Sequence, residues 1–155
     1  MINKTFAILI LLFVLNCKST QNQEKMGEQD IVLISKGNLY GSGEEGIEKQ
    51  NSVITNDSDW QDLMARMNSV NKISGGFSES EIDFSKYRVV AVFDEVKSTG
   101  GHSIELDIAS NSENIEVNIS HKSPEGMATT VMTQPYYIVK IVKNDLPISF
   151  LSAKN

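Results

Sequence analysis

The sequence predicts an α+β domain: an antiparallel, meander-rich β-sheet with one amphipathic helix packed on it. Three observations predict it. Tyr87-Arg88-Val89-Val90-Ala91-Val92-Phe93 is an unbroken apolar run rich in β-branched residues, which suits a central strand. Ile104-Glu105-Leu106-Asp107-Ile108 and Ile115-Glu116-Val117-Asn118-Ile119 alternate with period two, the pattern of half-buried strands. Trp60, Leu63, Met64 and Met67 recur at i, i+3, i+4 and i+7, one apolar face of a helix.

The glycine turn Ser98-Thr99-Gly100-Gly101-His102 joins the first two of these strands. Residues 87–119 therefore read as a three-stranded antiparallel meander. A two-residue Gly100-Gly101 turn would set Val96 opposite Glu105. A three- or five-residue loop centred on Gly100 shifts the pairing by one, bringing Val96 to Ile104 and Val92 to Ile108. A one-residue slip exchanges the two faces, so burial of one face selects the longer loop. Glycine in a left-handed conformation is common in such loops. Glu95 and Glu105 then face each other, an unfavourable like-charge pair.

Length bounds the rest: 155 residues make room for one domain with a real core. The formal charge of −6 and the absence of a Lys/Arg cluster argue against nucleic acid as a partner. Lys4 followed by ten apolar residues, 6–15, has the form of a signal peptide and falls short of a membrane span, which needs roughly 20. Cys17, the single cysteine, follows at once in the context Val14-Leu15-Asn16-Cys17. A lone cysteine there resembles the lipobox of a bacterial lipoprotein, in which the thiol is acylated and the chain is cut before it. Asn16 stands where such boxes usually hold a small residue. Residues 1–16 are thus expected to be a signal peptide, Cys17 the lipidation site, and 17–30, polar almost throughout, a flexible tether. The domain then occupies 31–155. One cysteine excludes an internal disulfide.

Along the chain, Ile31-Val32-Leu33-Ile34 reads as the first strand, and the cluster Gly37, Gly41, Gly43 and Gly46 as a surface loop. It is no phosphate-binding loop, because no Gly-Lys-Ser/Thr follows. A second strand is expected over 48–54. Ser58 with Gln61 has the capping-box form, predicting a helix over 59–68, with Asp62 and Arg66 as an i, i+4 pair. Beyond the meander, Ser123-Pro124-Glu125-Gly126 suits a type I turn, and 127–133 reads as a strand. Gln134-Pro135 is expected to interrupt pairing before a strand over 136–142, with a last short strand over 148–151.

Several of these stretches, in this order, resemble a known family. The apolar run from Tyr87, then Thr99-Gly100-Gly101-His102-Ser103-Ile104, then Gln134-Pro135-Tyr136 are similar to the C-terminal domain of the PrcB proteins, described as protease complex subunits. Ile82-Asp83-Phe84 and the Trp60 helix also fit, so the resemblance spans 52–151. His102 stands where that family often has tyrosine. The resemblance implies a lipid-anchored accessory protein of the bacterial envelope, facing the periplasm or the cell surface. Its partner would be a protease or another envelope protein. It supplies no catalytic residues. Thr99, Gly100, Gly101 and His102 are the candidate protein-binding residues, with a glycine turn or a sheet edge as the docking element. The alternative is a protease inhibitor or hydrolase that engages its target through the Gly-Gly loop.

The residues themselves offer little chemistry. His102 and Ser103 are neighbours and would point to opposite faces of a strand, and no Ser-His-Asp arrangement with His121 is legible. Two histidines and no usable cysteine fall short of a zinc set. Asp94, Glu95, Glu105 and Asp107 gather near the glycine turn, as a weak calcium site would require, although a solvated charged face is the simpler reading. The expectation is a non-catalytic binding protein with no cofactor and no metal.

Overall fold

The computed structural model describes residues 24–27 and 30–152. The expected signal peptide, Cys17 and most of the tether lie outside the described residues. Glu24–Lys25, within the span read as tether, form a two-residue strand, β1, against Ser110 and Ala109.

The single α-helix among the described residues, α1, runs Asp57–Met67 and buries Trp60, Leu63, Met64 and Met67, the face the periodicity selects. Its cap is Asn56, two residues before the expected Ser58. Asn56 has extended backbone, its Oδ1 accepts the Asp59 N–H at 3.0 Å, and its Nδ2 donates to Asp59 Oδ2 at 2.8 Å. That is the reciprocal geometry of a capping box built from Asn and Asp. Asp62 and Arg66 do not pair. The Trp60 indole N–H donates to Ser80 O at 2.7 Å, which fixes the long 68–86 connection, with its 3₁₀ turn Ile73–Gly76, over the helix.

Two four-stranded sheets follow. The first has the order β2 (Ile31–Leu39), β7 (Gln134–Val142), β4 (Tyr87–Phe93), β3 (Gln50–Ile54), and is antiparallel throughout. The second has the order β1, β5 (Ser103–Ser110), β6 (Ile115–Lys122), β8 (Ile148–Ser152), with only β6 and β8 parallel. The molecule is three layers. Val89, Ala91, Phe93, Tyr136 and Ile138 pack with Trp60, Leu63 and Met67 on the helix side of the first sheet. Val90, Val92, Val139 and Ile141 face the other way and meet Ile104, Ile108, Ile115, Val117 and Ile119 of the second sheet. β4 is thus buried on both faces, which is what its continuous apolar run reflects.

That arrangement keeps the α+β class, mostly antiparallel strands with one helix packed on a sheet, and overturns only the three-stranded meander expected over 87–119. β5 and β6 form the antiparallel hairpin that their alternation predicts, with Leu106 opposite Ile119. β4, however, pairs with β3 and β7 and not with β5. Residues 94–102 carry the chain from one sheet to the other, so Val96 does not face Ile104, nor Glu95 Glu105. The reason is the demand of β4 for cover on two sides: the second sheet packs against its face and cannot extend its edge.

Other boundaries move as well. β2 runs on through Gly37 to Leu39, with a bulge between Leu33 and Ser35. β7 begins at Gln134, so Gln134-Pro135 opens the strand instead of interrupting it. Residues 127–133 form no strand; Thr133 makes an isolated bridge to Lys97 of the crossover loop. The helical element is expected to respond accordingly. Trp60→Ala should cost about 4 kcal/mol in a denaturant titration, from lost packing and a lost hydrogen bond. Asn56→Ala should cost about 1 kcal/mol and Ser58→Ala less than about half of that.

Candidate functional site

The motif residues meet where β4 ends. Asp94, the residue after β4, has a side chain only 3% exposed. Its carboxylate accepts from Lys49 at 3.0 Å, from Lys97 at 3.1 Å, from His121 Nδ1 at 3.0 Å and from the Glu95 backbone N–H at 2.8 Å. These partners come from the loop before β3, the crossover loop and the end of β6. One buried charge therefore ties three separate segments. Burial alone pushes this carboxyl up, but Lys49, the Glu95 amide, Lys97 and His121 outweigh it and hold it at about 2. A group so strongly anionic is a clamp, not a proton shuttle.

Gln134 completes the clamp. Pro135 carries no N–H, so the ladder between β7 and β4 lacks a donor opposite Asp94. The Asp94 N–H still reaches Pro135 O at 3.0 Å. In return, Asp94 O takes a hydrogen bond from Gln134 Nε2 at 2.9 Å, and the same amide donates to Ile47 O at 2.7 Å. The side chain of the residue before the proline supplies the missing donor. This gives the Gln134-Pro135 pair a mechanical reason. It also pins the 40–49 loop, where Glu45 is buried and accepts the Gly41 N–H at 2.8 Å. The glycine-rich stretch is therefore folded inward and not a loose surface loop.

The Thr99–His102 loop sits on this base. Thr99 Oγ1 and His102 Nε2 are 2.9 Å apart, and Asn38 Nδ2 donates to His102 O at 3.2 Å. The 123–133 segment lies across the loop: Gly100 N donates to Thr129 O at 3.0 Å, and Thr133 Oγ1 to Thr99 O at 2.8 Å. Gly100 is buried, and a Cβ there would collide with Thr129 Oγ1. Gly101 has φ +85°, and a Cβ there would come within 2.8 Å of Pro124 Cβ. Both glycines are thus required by the packing of one loop on another. Of the four predicted binding residues, Gly101 is exposed, Thr99 and His102 are half-buried, and Gly100 is covered.

What the surface presents here is the covering segment. Met127 is fully exposed, and Val131 and Met132 are exposed close by in sequence, three large apolar side chains on one irregular loop held by the glycine turn. The sequence pattern puts these residues in a strand and does not mark Lys49, Gln134 or His121 as site residues. The legible signal was a glutamine next to a proline at the head of an apolar run.

The four acids do not gather. Asp94 is inside, Glu95 is exposed and bonded to Lys97 at 2.8 Å, Glu105 pairs with Lys36 at 3.2 Å, and Asp107 lies on the exposed face of β5. Among the described residues, no group of three or more His, Cys, Asp or Glu is placed to hold a metal ion. None of the described helices is long and apolar enough to cross a membrane.

Fold and site together define a two-sheet domain in which a glycine loop and a Gln-Pro strand start are locked around a buried aspartate. Residues 88–142 match the family model described as PrcB C-terminal, the family whose motifs this chain resembles. The match is narrower than the 52–151 span of the resemblance, but it holds β5, β6, β7 and nearly all of β4, together with the Thr-Gly-Gly and Gln-Pro motifs. Comparison with curated proteins and with solved structures gave no match.

Two outcomes follow from the clamp. An unfolded aspartate titrates at about 3.9, and Asp94 does so at about 2 when folded. The folded state therefore binds this proton less readily, so the contribution is complete above about pH 4 and lost as pH falls toward about 2. It amounts to about 2–3 kcal/mol, and Asp94→Asn should remove that part of the acid limb in pH-dependent denaturation. Gln134→Leu, which leaves the Asp94 and Ile47 carbonyls without their donor, should cost about 2–4 kcal/mol by the same titration.

Proposed function

We propose that this protein is a non-catalytic accessory subunit of a protease complex in the bacterial envelope, anchored through an acylated Cys17. The observation that carries the reading is the PrcB C-terminal match over 88–142, whose motif loop holds the exposed Met127, Val131 and Met132. Exposed apolar side chains on a firmly tethered loop suit recognition of another protein, since methionine adapts to a partner surface at small cost. The Asp94 clamp supports the same view. Its four donors spend the carboxylate on holding the loop in place, which is what a rigid docking element requires.

The experiment is a pull-down of the tethered chain from a membrane fraction. A protease should copurify with the unaltered protein and fall at least about tenfold with the double variant Met127→Ser, Met132→Ser, a loss of about 1.4 kcal/mol. Cys17→Ser should move the protein to the soluble fraction. Inhibition of purified proteases by the isolated protein, with no copurifying enzyme, would favour the inhibitor reading and contradict this one.

A further inference from the structure

The first sheet has an edge, the outer side of β3, on which no other strand among the described residues pairs. Because Asp94 N bonds to Pro135 O, the even-numbered residues of β4 bond to β7, and the odd-numbered Val89, Ala91 and Phe93 bond to their partners Ile54, Ser52 and Gln50. Asn51 and Val53 therefore turn their N–H and C=O groups outward. The opposite edge of this sheet is treated differently: β2 carries a bulge and Lys36, and Ser78 covers it by donating from N to Ile34 O and from Oγ to Leu33 O. Those are the usual protections of an edge strand. Gln50–Ile54 has no bulge, no lysine and no proline.

Beside this bare edge runs a groove of about 250 Å³, walled by Ser52 and Ile54 of β3 and by Asp59, Asp62, Leu63 and Arg66 of α1. The link between β3 and α1 is only Thr55 and Asn56, so the helix returns along the strand. Asp59 and Asp62 therefore lie toward the Ile54 end, and Arg66 toward the Gln50 end. Asp62 and Arg66 are in no ion pair with each other, which leaves a groove with one acidic and one basic end around an apolar floor at Leu63.

We propose that the outer edge of β3 and this groove take an extended peptide segment of another protein as an added strand, a basic side chain toward Asp59 and Asp62 and an acidic one toward Arg66. Main-chain bonds to Asn51 and Val53 supply affinity, and the charged ends set direction. A second copy of this chain fits less well. None of the large exposed apolar side chains lies on β3 or α1, and a five-residue edge without such a patch falls short of the ~1,000 Å² that a stable protein interface needs. The proposal is independent of the accessory-subunit reading, and no groove residue belongs to the Met127 loop.

The test is an NMR titration of the whole domain with two synthetic probes, Ac-Lys-Val-Thr-Val-Thr-Val-Glu-NH2 and the same sequence reversed. Antiparallel addition puts the first probe's lysine at the Asp59 end, so it should shift the Asn51 and Val53 amides saturably and bind about tenfold tighter than the reversed probe. The double variant Asp62→Lys, Arg66→Glu, which leaves Asp59 in place, should abolish that preference. Four results would overturn the proposal. They are no shift at Asn51 and Val53 with either probe at millimolar concentration, shifts confined to β2 or β8, a preference unchanged by the swap, and concentration-dependent shifts of the same amides without peptide, which would mean a second copy. The map on the unaltered protein decides the question even where the variant folds poorly. A failure here leaves the pull-down result above untouched.

Discussion

The two-sided burial of β4 governs this structure. Val89, Ala91 and Phe93 of this strand lie against a helix and Val90 and Val92 against a second sheet. Both its edges are taken by β3 and β7, so β5 cannot pair beside it. The chain must leave the first sheet at Phe93 and re-enter the second at Ser103. The Thr-Gly-Gly loop and the buried Asp94 both lie in that passage. The crossover begins with a buried carboxylate, because Asp94 is the first residue beyond the apolar run and is still inside. A charge there is tolerable only when fully compensated, and four donors from three segments provide the compensation.

From that requirement the two motifs acquire a common origin. Gln134 stands in for the N–H that Pro135 lacks, and in doing so holds both Asp94 and the 40–49 loop. Gly100 and Gly101 allow the Thr99 loop to lie flat beneath the 123–133 segment. Pieces of sequence separated by more than thirty residues are thus neighbours in one polar knot, and the family match spans them both. The apolar side chains of Met127, Val131 and Met132 are carried by this knot, not by a strand.

Much of this was legible in the residues and some was not. The helix face from Trp60 and the β5–β6 alternation depend on local periodicity, and they fold as read. The partners of β4 depend on what covers its second face, and no stretch of sequence near Tyr87 carries that information. A glycine turn between two apolar runs has the same appearance whether it closes a hairpin or crosses between sheets. The helix cap moved because Asn56 and Asp59 satisfy each other better than Ser58 and Gln61 do, a competition between two similar signals. At the site, Thr99, Gly100, Gly101 and His102 stood out because glycines punctuate a sequence. Lys49 and His121 did not, since their roles exist only once Asp94 is buried between them.

The account rests on the 123–133 loop being the face that another protein grips. The most direct measurement places a photo-crosslinking amino acid at position 127, with position 112 on the exposed β5–β6 turn as the reference, in cells that make the protein. The account predicts that position 127 traps a single protease species, identified by mass spectrometry, while position 112 does not. Crosslinks to a protease from position 112 alone, or none from position 127 when the protein is present at the envelope, would contradict it.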